Sequence, residues 1–277
     1  MFGSDMRRLL AQSTASVQSL NRNNLDLTTS VESLADRLSG STVVINAVAY
    51  TNVDAAELDY DAAYFANAEV PRKLAAACTL TGSRLIHIST DYVFDGEAGT
   101  AYKPNSPRNP QSIYGNTKLA GEDAVLNFEN TQVIRTSWLY GANGRCFPKT
   151  IATMLLADQE ISVVNDQFGS PTHTLDLAEF ALQLGSHSIN ERMMHGVSSG
   201  STSWYEFARE IAQSLGLRTK LITATSTAAY PARARRPANA VLEPSTASGY
   251  QLPDWKSAWN SAADSVLRDL GTIYPKY

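Results

Sequence analysis

Apolar β-branched runs alternate with helical periodicities along the first half of the chain. Apolar positions at helical spacing begin at once, over residues 5–11, and a weak strand candidate follows at 15–20. Leu34 and Leu38 mark a short helix that stops at Gly40. Residues 42–48 are almost wholly apolar and β-branched. Such a run predicts a strand buried on both faces, as in a parallel sheet. Residues 54–80 read as one Ala-rich helix with Gly82 as its stop. A strand at 84–89, a helix at 111–127 and a strand at 132–137 follow. Strand alternating with helix predicts βαβ units and an α/β fold built on a doubly wound parallel sheet.

The second half changes character. A strand at 161–164 leads into a loop at 165–172 and a helix at 174–184. Ser203 and Glu206 have the spacing of a capping box and open a helix that runs to Leu215. Residues 230–237 are basic and bounded by proline, which predicts a loop, and residues 255–270 form a terminal amphipathic helix. The pattern contains no internal repeat or low-complexity linker, and the change near 140–150 is a shift in character rather than a hinge.

Composition narrows the functional classes. The 277 residues, 43% hydrophobic and 18% charged, are ordinary for a soluble globular protein with one large domain or one large and one small. A net charge of −4 provides no basic footprint for nucleic acid. No run of eighteen apolar residues suggests a membrane span, and the first residues lack an apolar stretch of signal-peptide length. A cytoplasmic protein with no membrane partner is expected. Cys78 and Cys146 lie outside any metal-spacing motif and read as buried reduced thiols. The histidines have no second ligand at helical spacing, so no metal site is assigned, and His87, inside an apolar run, reads as a core residue.

The most informative segment is Tyr114-Gly-Asn-Thr-Lys118. A tyrosine and a lysine four apart on a helix share a face. An unperturbed phenol holds its proton to about pH 10, too weak an acid for a reduction near neutrality. An ammonium beside it favours the phenolate and makes the pair a usable general acid. Alone the spacing is common, and most such pairs are solvated helix faces. Thr90 adds context, because a hydroxyl at the C-terminal end of a sheet strand lies where open α/β sheets place their ligands. There it can hydrogen-bond a substrate carbonyl while Tyr114 protonates it.

Six segments occur in order: residues 46–57 beginning Asn-Ala-Val-Ala-Tyr, Ser-Thr-Asp-Tyr-Val-Phe-Asp-Gly ending at Gly96, Tyr-Gly-Asn-Thr-Lys-Leu-Ala-Gly-Glu from Tyr114, Arg-Thr-Ser-Trp-Leu-Tyr-Gly from Arg135, Gln-Phe-Gly-Ser-Pro-Thr from Gln167, and Arg-Arg-Pro-Ala-Asn from Arg235. Together they resemble the dTDP-4-dehydrorhamnose reductase family of extended short-chain dehydrogenases. The resemblance spans essentially the whole chain. It implies a Rossmann-like dinucleotide-binding domain over residues 1–145 and a mainly substrate-binding α/β region over 146–277, some segments of which return to the Rossmann core.

The resemblance also implies a reaction. NADPH or NADH delivers hydride to C4 of a dTDP-linked 4-keto-6-deoxy sugar, giving dTDP-L-rhamnose from the 4-dehydro-6-deoxy-L-mannose form. Thr90 orients the ketone, Tyr114 supplies the proton, and Lys118 lowers the tyrosine pKa and holds the nicotinamide ribose. The expected cofactor contacts are Phe2, Gly3, Ala47, Ala49, Tyr50 and Asn67, with Asp26 and Leu27 against the adenine. Arg22 follows the second expected strand, where an arginine grips a 2′-phosphate and an acid would hold the free ribose, so NADPH is favoured over NADH. Val93 and Trp138 match positions beside the sugar, although Trp138 also reads as core. Arg235 and Arg236 offer guanidinium forks suited to a nucleotide diphosphate. Family members dimerise, some with Mg²⁺ bridging acidic residues, but no acids here are assignable to it.

One departure stands at the start. The family opens with a strand and a Gly-x-x-Gly-x-x-Gly turn, and only Gly3 matches, as the third glycine. Two readings follow: the chain begins at an internal methionine of a longer protein, which is favoured because every later motif is intact, or it is truly short and impaired in cofactor binding and activity. Two other functions share the motifs: a reductase or epimerase on another nucleotide-linked keto-sugar, and a non-catalytic NADP-binding regulatory subunit of the kind that pairs with methionine adenosyltransferase. Intact Thr90, Tyr114 and Lys118 weigh against the second.

Overall fold

A computed structural model describes residues 1–270 apart from Arg22, Ser188, Pro231, Ser248 and Asp269. Helix α1 (Phe2–Leu10) is followed by an irregular segment, α2 (Val31–Leu38) and strand β1 (Val43–Asn46). Residues 15–20, expected as a strand, form none. They lie exposed and outside every strand ladder, and a strand exists only where a neighbour takes its backbone hydrogen bonds.

The single helix expected over 54–80 is broken. Short helices α3 (Val53–Ala56) and α4 (Tyr60–Tyr64) lead through a π-helical turn, Phe65–Glu69, into α5 (Val70–Thr81). The Asn52 side chain caps the start by accepting from Ala55 N, and the break between α3 and α4 falls where the Asp59 side chain accepts from Ala62 N. Short polar side chains that bond nearby backbone in this way start helices rather than continue them. Pro71 falls in the first turn of α5, where its missing N–H costs little, and Gly82 ends the helix at φ 72°.

Strand β2 (Arg84–Thr90) runs into a 3₁₀ turn, Asp91–Val93, then a loop and α6 (Ile113–Leu126). Strands β3 (Thr131–Thr136) and β4 (Leu139–Tyr140) precede α7 (Phe147–Leu156), β5 (Ile161–Val164), β6 (Phe168–Gly169) and β7 (Thr172–His173). The chain continues through α8 (Thr174–Ser186), β8 (Met193–His195), β9 (Thr202–Ser203), α9 (Trp204–Ser214), β10 (Ile222–Thr225) and α10 (Trp255–Leu267). The segment expected as loop at 165–172 thus carries short strands.

The main sheet has the order β1-β2-β3-β8, and every pairing is parallel. Successive strand residues face opposite sides. Leu85 and Val133 pack on one side with Leu34 of α2, Leu74 of α5 and Val125 of α6. Ile86 and Ile134 pack on the other with Phe2 and Met6 of α1 and Leu177 and Phe180 of α8. Helices cover both faces, as a doubly wound α/β fold requires. Strand β1 departs from expectation, because Val43, Val44 and Ile45 are only half-buried. It is the edge of the sheet, so its apolar run is covered by helices without a strand beyond it. A separate core around Trp259, Phe207, Ile151 and Ile222 joins α7, α9 and α10 to the β5–β10 pair. The C-terminal ends of β1, β2 and β3 open toward the loops that carry the expected chemistry.

Candidate active site

Helix α6 supplies three side chains on one face at four-residue spacing: Tyr114, Lys118 and Glu122. Two glycines let that face lie close to its neighbours. A Cβ on Gly115 would run into the Tyr92 carbonyl oxygen, and one on Gly121 into that of Asn67, far inside contact distance. Ser112 caps the helix, its hydroxyl accepting from Gly115 N at 3.1 Å.

Glu122, fully buried, pins α6 to the sheet. Its carboxylate accepts from Arg135 Nε at 2.8 Å and Nη2 at 2.7 Å, and from Ser89 Oγ at 2.6 Å. Arg135 is itself 1% exposed and donates to Pro104 O. A bidentate guanidinium with a hydroxyl satisfies a buried carboxylate that would otherwise be costly.

Lys118, 1% exposed, turns its Nζ to Ile88 O at 2.6 Å and lies 3.3 Å from His87 Nε2. His87 is the buried, partnered core residue expected, 0% exposed between Asn46 and Lys118. Val48 N donates to Asn46 Oδ1 at 2.9 Å, which directs Asn46 Nδ2 at His87 Nδ1, 3.0 Å away. His87 Nδ1 therefore accepts, and Nε2 carries the ring proton toward Lys118. Burial, and behind it the Lys118 charge, holds the imidazole well below its usual range, so the ring stays neutral. Burial likewise lowers Lys118 to about 8, against an opposing contribution from Glu122.

Tyr114 is 9% exposed, and Thr90 is among the groups that act on its hydroxyl. Burial pushes this phenol well above its ordinary value; Thr90 works the other way, and Asp91 and Tyr92 add to the rise. Lys118 is not among the groups that move this phenol, and its Nζ donates to Ile88 O. Thr90 Oγ1 donates to Asp91 Oδ1 at 2.8 Å and accepts from Tyr92 N at 3.2 Å.

The other expected site residues separate into those that gather here and those that do not. Gly3 lies in the first turn of α1 with Ala47 opposite it, where a Cβ on Gly3 would stand 3.8 Å from that of Ala47. Ala47 is exposed beside half-buried Ala49 and Tyr50. Phe2, by contrast, is 7% exposed and packs in the core beneath the sheet, so its ring offers no surface to a cofactor. Asn67 is fully buried, and its amide is committed: Oδ1 accepts from Tyr50 N, and Nδ2 donates to Tyr50 O and Thr117 Oγ1. It shapes the Ala47–Tyr50 loop from a π-helical turn, an irregularity frequent at functional sites. Asp26, exposed, turns its carboxylate onto Thr28 N and Oγ1, while Leu27 is half-buried and its carbonyl accepts from Lys73 Nζ. Arg22 lies outside the described residues.

On the substrate side, Val93 is fully buried with Phe94, Tyr102, Val197 and Leu242. It supports the turn from within rather than presenting surface to a sugar, because the 3₁₀ turn rotates it inward. Trp138 is half-buried and not core; its ring stacks on Trp204 at 3.5 Å, and its φ is 48°. A bulky residue held at positive φ is strained, a feature that concentrates at functional sites. Arg236 reaches back to the catalytic turn, and Arg235 to the loop beyond it. Arg235 pairs with Glu97 at 2.7 Å and Arg236 with Asp54 at 2.7 Å, and Arg236 also donates to Tyr92 OH at 3.3 Å. With Asp95, Gly96 and Tyr230 they line a cleft of about 390 Å³. Sequence reasoning missed Asp91, Tyr92, Asp54 and the Asn46–His87 chain; only proximity to Thr90 in the primary structure could have flagged the first two. Among the described residues no three His, Cys, Asp or Glu side chains are arranged to hold a metal ion.

Comparison with known proteins agrees with this geometry. The family model described as RmlD substrate binding domain matches residues 1–268. A Streptomyces antibioticus protein named probable dTDP-4,6-dihydroxy-2-methyloxan-3-one 4-ketoreductase is 39% identical over 96% of this chain and 92% of its own length. A dTDP-4-dehydrorhamnose reductase of Streptomyces griseus is 36% identical over 99% of this chain and 94% of its own. The crystal structure of the Bacillus anthracis dTDP-4-dehydrorhamnose reductase in complex with NADP superposes with a TM-score of 0.89 at 32% identity, covering 95% of this chain and 94% of that one. The matching segments, the α/β fold and the Thr90–Tyr114–Lys118 arrangement have one explanation: the chain belongs to the RmlD family of dTDP-4-dehydrorhamnose reductases.

Proposed function

We infer that this chain is an NADPH-dependent nucleotide-sugar reductase that reduces the C4 ketone of dTDP-4-dehydro-6-deoxy-L-mannose to dTDP-L-rhamnose. The observation that carries the reading is buried Tyr114 and Lys118 on one face of α6, set against the C-terminal end of β2 that carries Thr90, with Arg236 bonded to Tyr92 of the turn that follows. The small, open residues Gly3, Ala47 and Ala49 suit close approach of a dinucleotide, and Tyr50 and Lys118 border that path. The reduced nicotinamide, when bound, supplies the hydride. Thr90 and Tyr114 hold the ketone oxygen, and Tyr114 passes its proton to the alkoxide that forms. Lys118, kept easy to deprotonate by burial, sits where it can hold a ribose hydroxyl. Arg235 and Arg236 are suited to the nucleotide diphosphate, with Trp138 beside the sugar.

The NADP complex of the Bacillus anthracis relative supports NADPH, and the name of the Streptomyces antibioticus relative supports a second reading, a 4-ketoreductase acting on another dTDP-linked sugar. The two buried free thiols suit a reducing compartment and support a cytoplasmic place. The test is NADPH oxidation in the presence of the dTDP-linked 4-keto-6-deoxy sugar, with NADH as comparison. Tyr114→Phe should lower kcat by about 10²- to 10⁴-fold, the usual worth of a positioned general acid. Turnover of Tyr114→Phe at the wild-type rate would remove Tyr114 from the reaction.

A further inference from the structure

Thr90 has one hydroxyl proton, and its present use is in conflict with its task. That proton goes to Asp91 Oδ1, 2.8 Å away. With it committed, Thr90 Oγ1 accepts from Tyr92 N and has no proton left to give Tyr114 or a ketone. The Thr90 proton that a ketone oxygen needs then points away from it, toward the Asp91 carboxylate. If Asp91 is instead a neutral acid, the chain reverses. Its O–H donates to Thr90, the Thr90 proton is released outward, and Tyr114 is free to donate to the ketone.

We propose that Asp91 is a proton-holding positioning residue that sets the direction of the Thr90–Tyr114 hydrogen bonds and returns a proton to Tyr114 after each reduction. It deepens, and rests on, the ketone-reductase reading. The transfer balances as follows. Hydride from the nicotinamide and the proton from Tyr114 complete the alcohol, which leaves a phenolate. The Thr90 proton moves to that phenolate, and the Asp91 proton replaces it on Thr90. The net change is one proton from the Asp91 carboxyl to Tyr114, after which solvent reloads the acid.

The surroundings of Asp91 favour a neutral carboxyl. The residue is 3% exposed, and its Oδ2 is buried without a hydrogen-bond partner, a costly place for half of a carboxylate. The groups that feel its charge are Tyr92 on its own turn and Tyr114 on α6, both uncharged near neutrality. Arg236, whose guanidinium lies 5.9 Å from the Tyr92 ring, is paired with Asp54. Burial raises the Asp91 carboxyl to about 7, in the range where an acid can be both loaded and spent.

Two arms test the proposal. In the first, single-turnover NADPH oxidation with the dTDP-linked 4-keto sugar is followed against pH. Wild-type protein should lose rate as pH rises through about 7, approaching tenfold per pH unit above it. Asp91→Asn cannot titrate, so that limb should vanish, and its steady-state turnover should fall by about tenfold or more for want of a returning proton. The same limb with the same midpoint in Asp91→Asn overturns the proposal. In the second arm, without substrate, the infrared carbonyl band of a neutral carboxylic acid is titrated in wild type, Asp91→Asn and Thr90→Val. A band lost near pH 7, missing in Asp91→Asn and shifted in midpoint by Thr90→Val, supports the chain; a wild type with no such band refutes it. If no keto-sugar is turned over, the reductase reading fails while the infrared arm still decides the state of Asp91.

Discussion

Replacing Arg135 by methionine would strand the Glu122 carboxylate between the sheet and α6. Glu122 is 0% and Arg135 1% exposed, and the pair is bidentate at 2.8 and 2.7 Å. Removing one partner of such a pair costs about 3–5 kcal/mol, because the remaining charge keeps its burial and loses its compensation. Two contacts soften the loss. Ser89 still donates at 2.6 Å, and Arg108, a third exposed, lies 3.5 Å from the carboxylate, a contact worth about 0–1 kcal/mol. The expected net destabilisation is therefore about 2–4 kcal/mol at pH 7. Glu122→Gln combined with Arg135→Met removes the charge as well as its partner while nearly preserving volume. That double variant should lie within about 2 kcal/mol of wild type, since apolar replacement of a buried pair is often close to neutral. Urea unfolding at matched m-values measures all four members of the cycle. Arg135→Met within about 1 kcal/mol of wild type, or a double variant no more stable than the single, would falsify the view that Glu122 is a charge held by Arg135.

Asp91→Asn should change stability with a definite sign. The folded-state carboxyl, raised to about 7 from 3.8, is penalised for ionising, so the contribution of its neutral form is fully present below pH 3.8 and lost as pH rises through about 7. At 1.36 kcal/mol per unit this amounts to about 4 kcal/mol, so Asp91→Asn should be more stable than wild type at pH 8 and lose that advantage near pH 4. Equal differences in thermal midpoint at the two pH values would contradict the burial of this acid. Gly121→Ala should destabilise by about 1–3 kcal/mol, despite a better helix former, because its Cβ meets the Asn67 carbonyl oxygen; a raised Tm would mean that α6 does not approach the π-helical turn so closely. Arg236→Met should raise KM for the dTDP-sugar about tenfold with little change in kcat, as expected for a charged contact made equally in ground and transition states, and a pure kcat effect would move Arg236 out of nucleotide binding.

Local patterning made much of this fold readable. The β-branched runs at 84–89 and 132–137 became β2 and β3 with small shifts, and the capping box at Ser203 opens α9 as its spacing implies. The misreadings share a cause, namely competition settled by partners distant in sequence or by side-chain caps. Residues 42–48 have the composition of a central strand, but β1 is half-buried because its position in the sheet, and not its sequence, decides how many neighbours it has. The Ala-rich stretch from 54 to 80 has helical propensity throughout, yet it breaks where Asp59 caps a new start. Val93 matched a sugar-contacting position by alignment of motifs, whereas the 3₁₀ turn sends it into a core.

The active-site helix shows where spacing stops being informative. Four-residue intervals guarantee that Tyr114, Lys118 and Glu122 share a face, and that much was legible for the first two. They do not set what each residue meets. Strand β2 does so, offering Thr90 to Tyr114, the Ile88 carbonyl and His87 to Lys118, and Ser89 to Glu122. Consecutive residues of one strand thus give three different electrostatic environments to one helix face. The simple expectation was an ammonium acidifying its neighbouring phenol. Here Lys118 donates to backbone, and the groups that act on Tyr114 include Thr90 and the Asp91 bonded to it. Proton supply in this site is therefore a property of the β2 turn that α6 presses against, and the Gly115 and Gly121 contacts that allow that pressing are as much a part of the chemistry as the tyrosine.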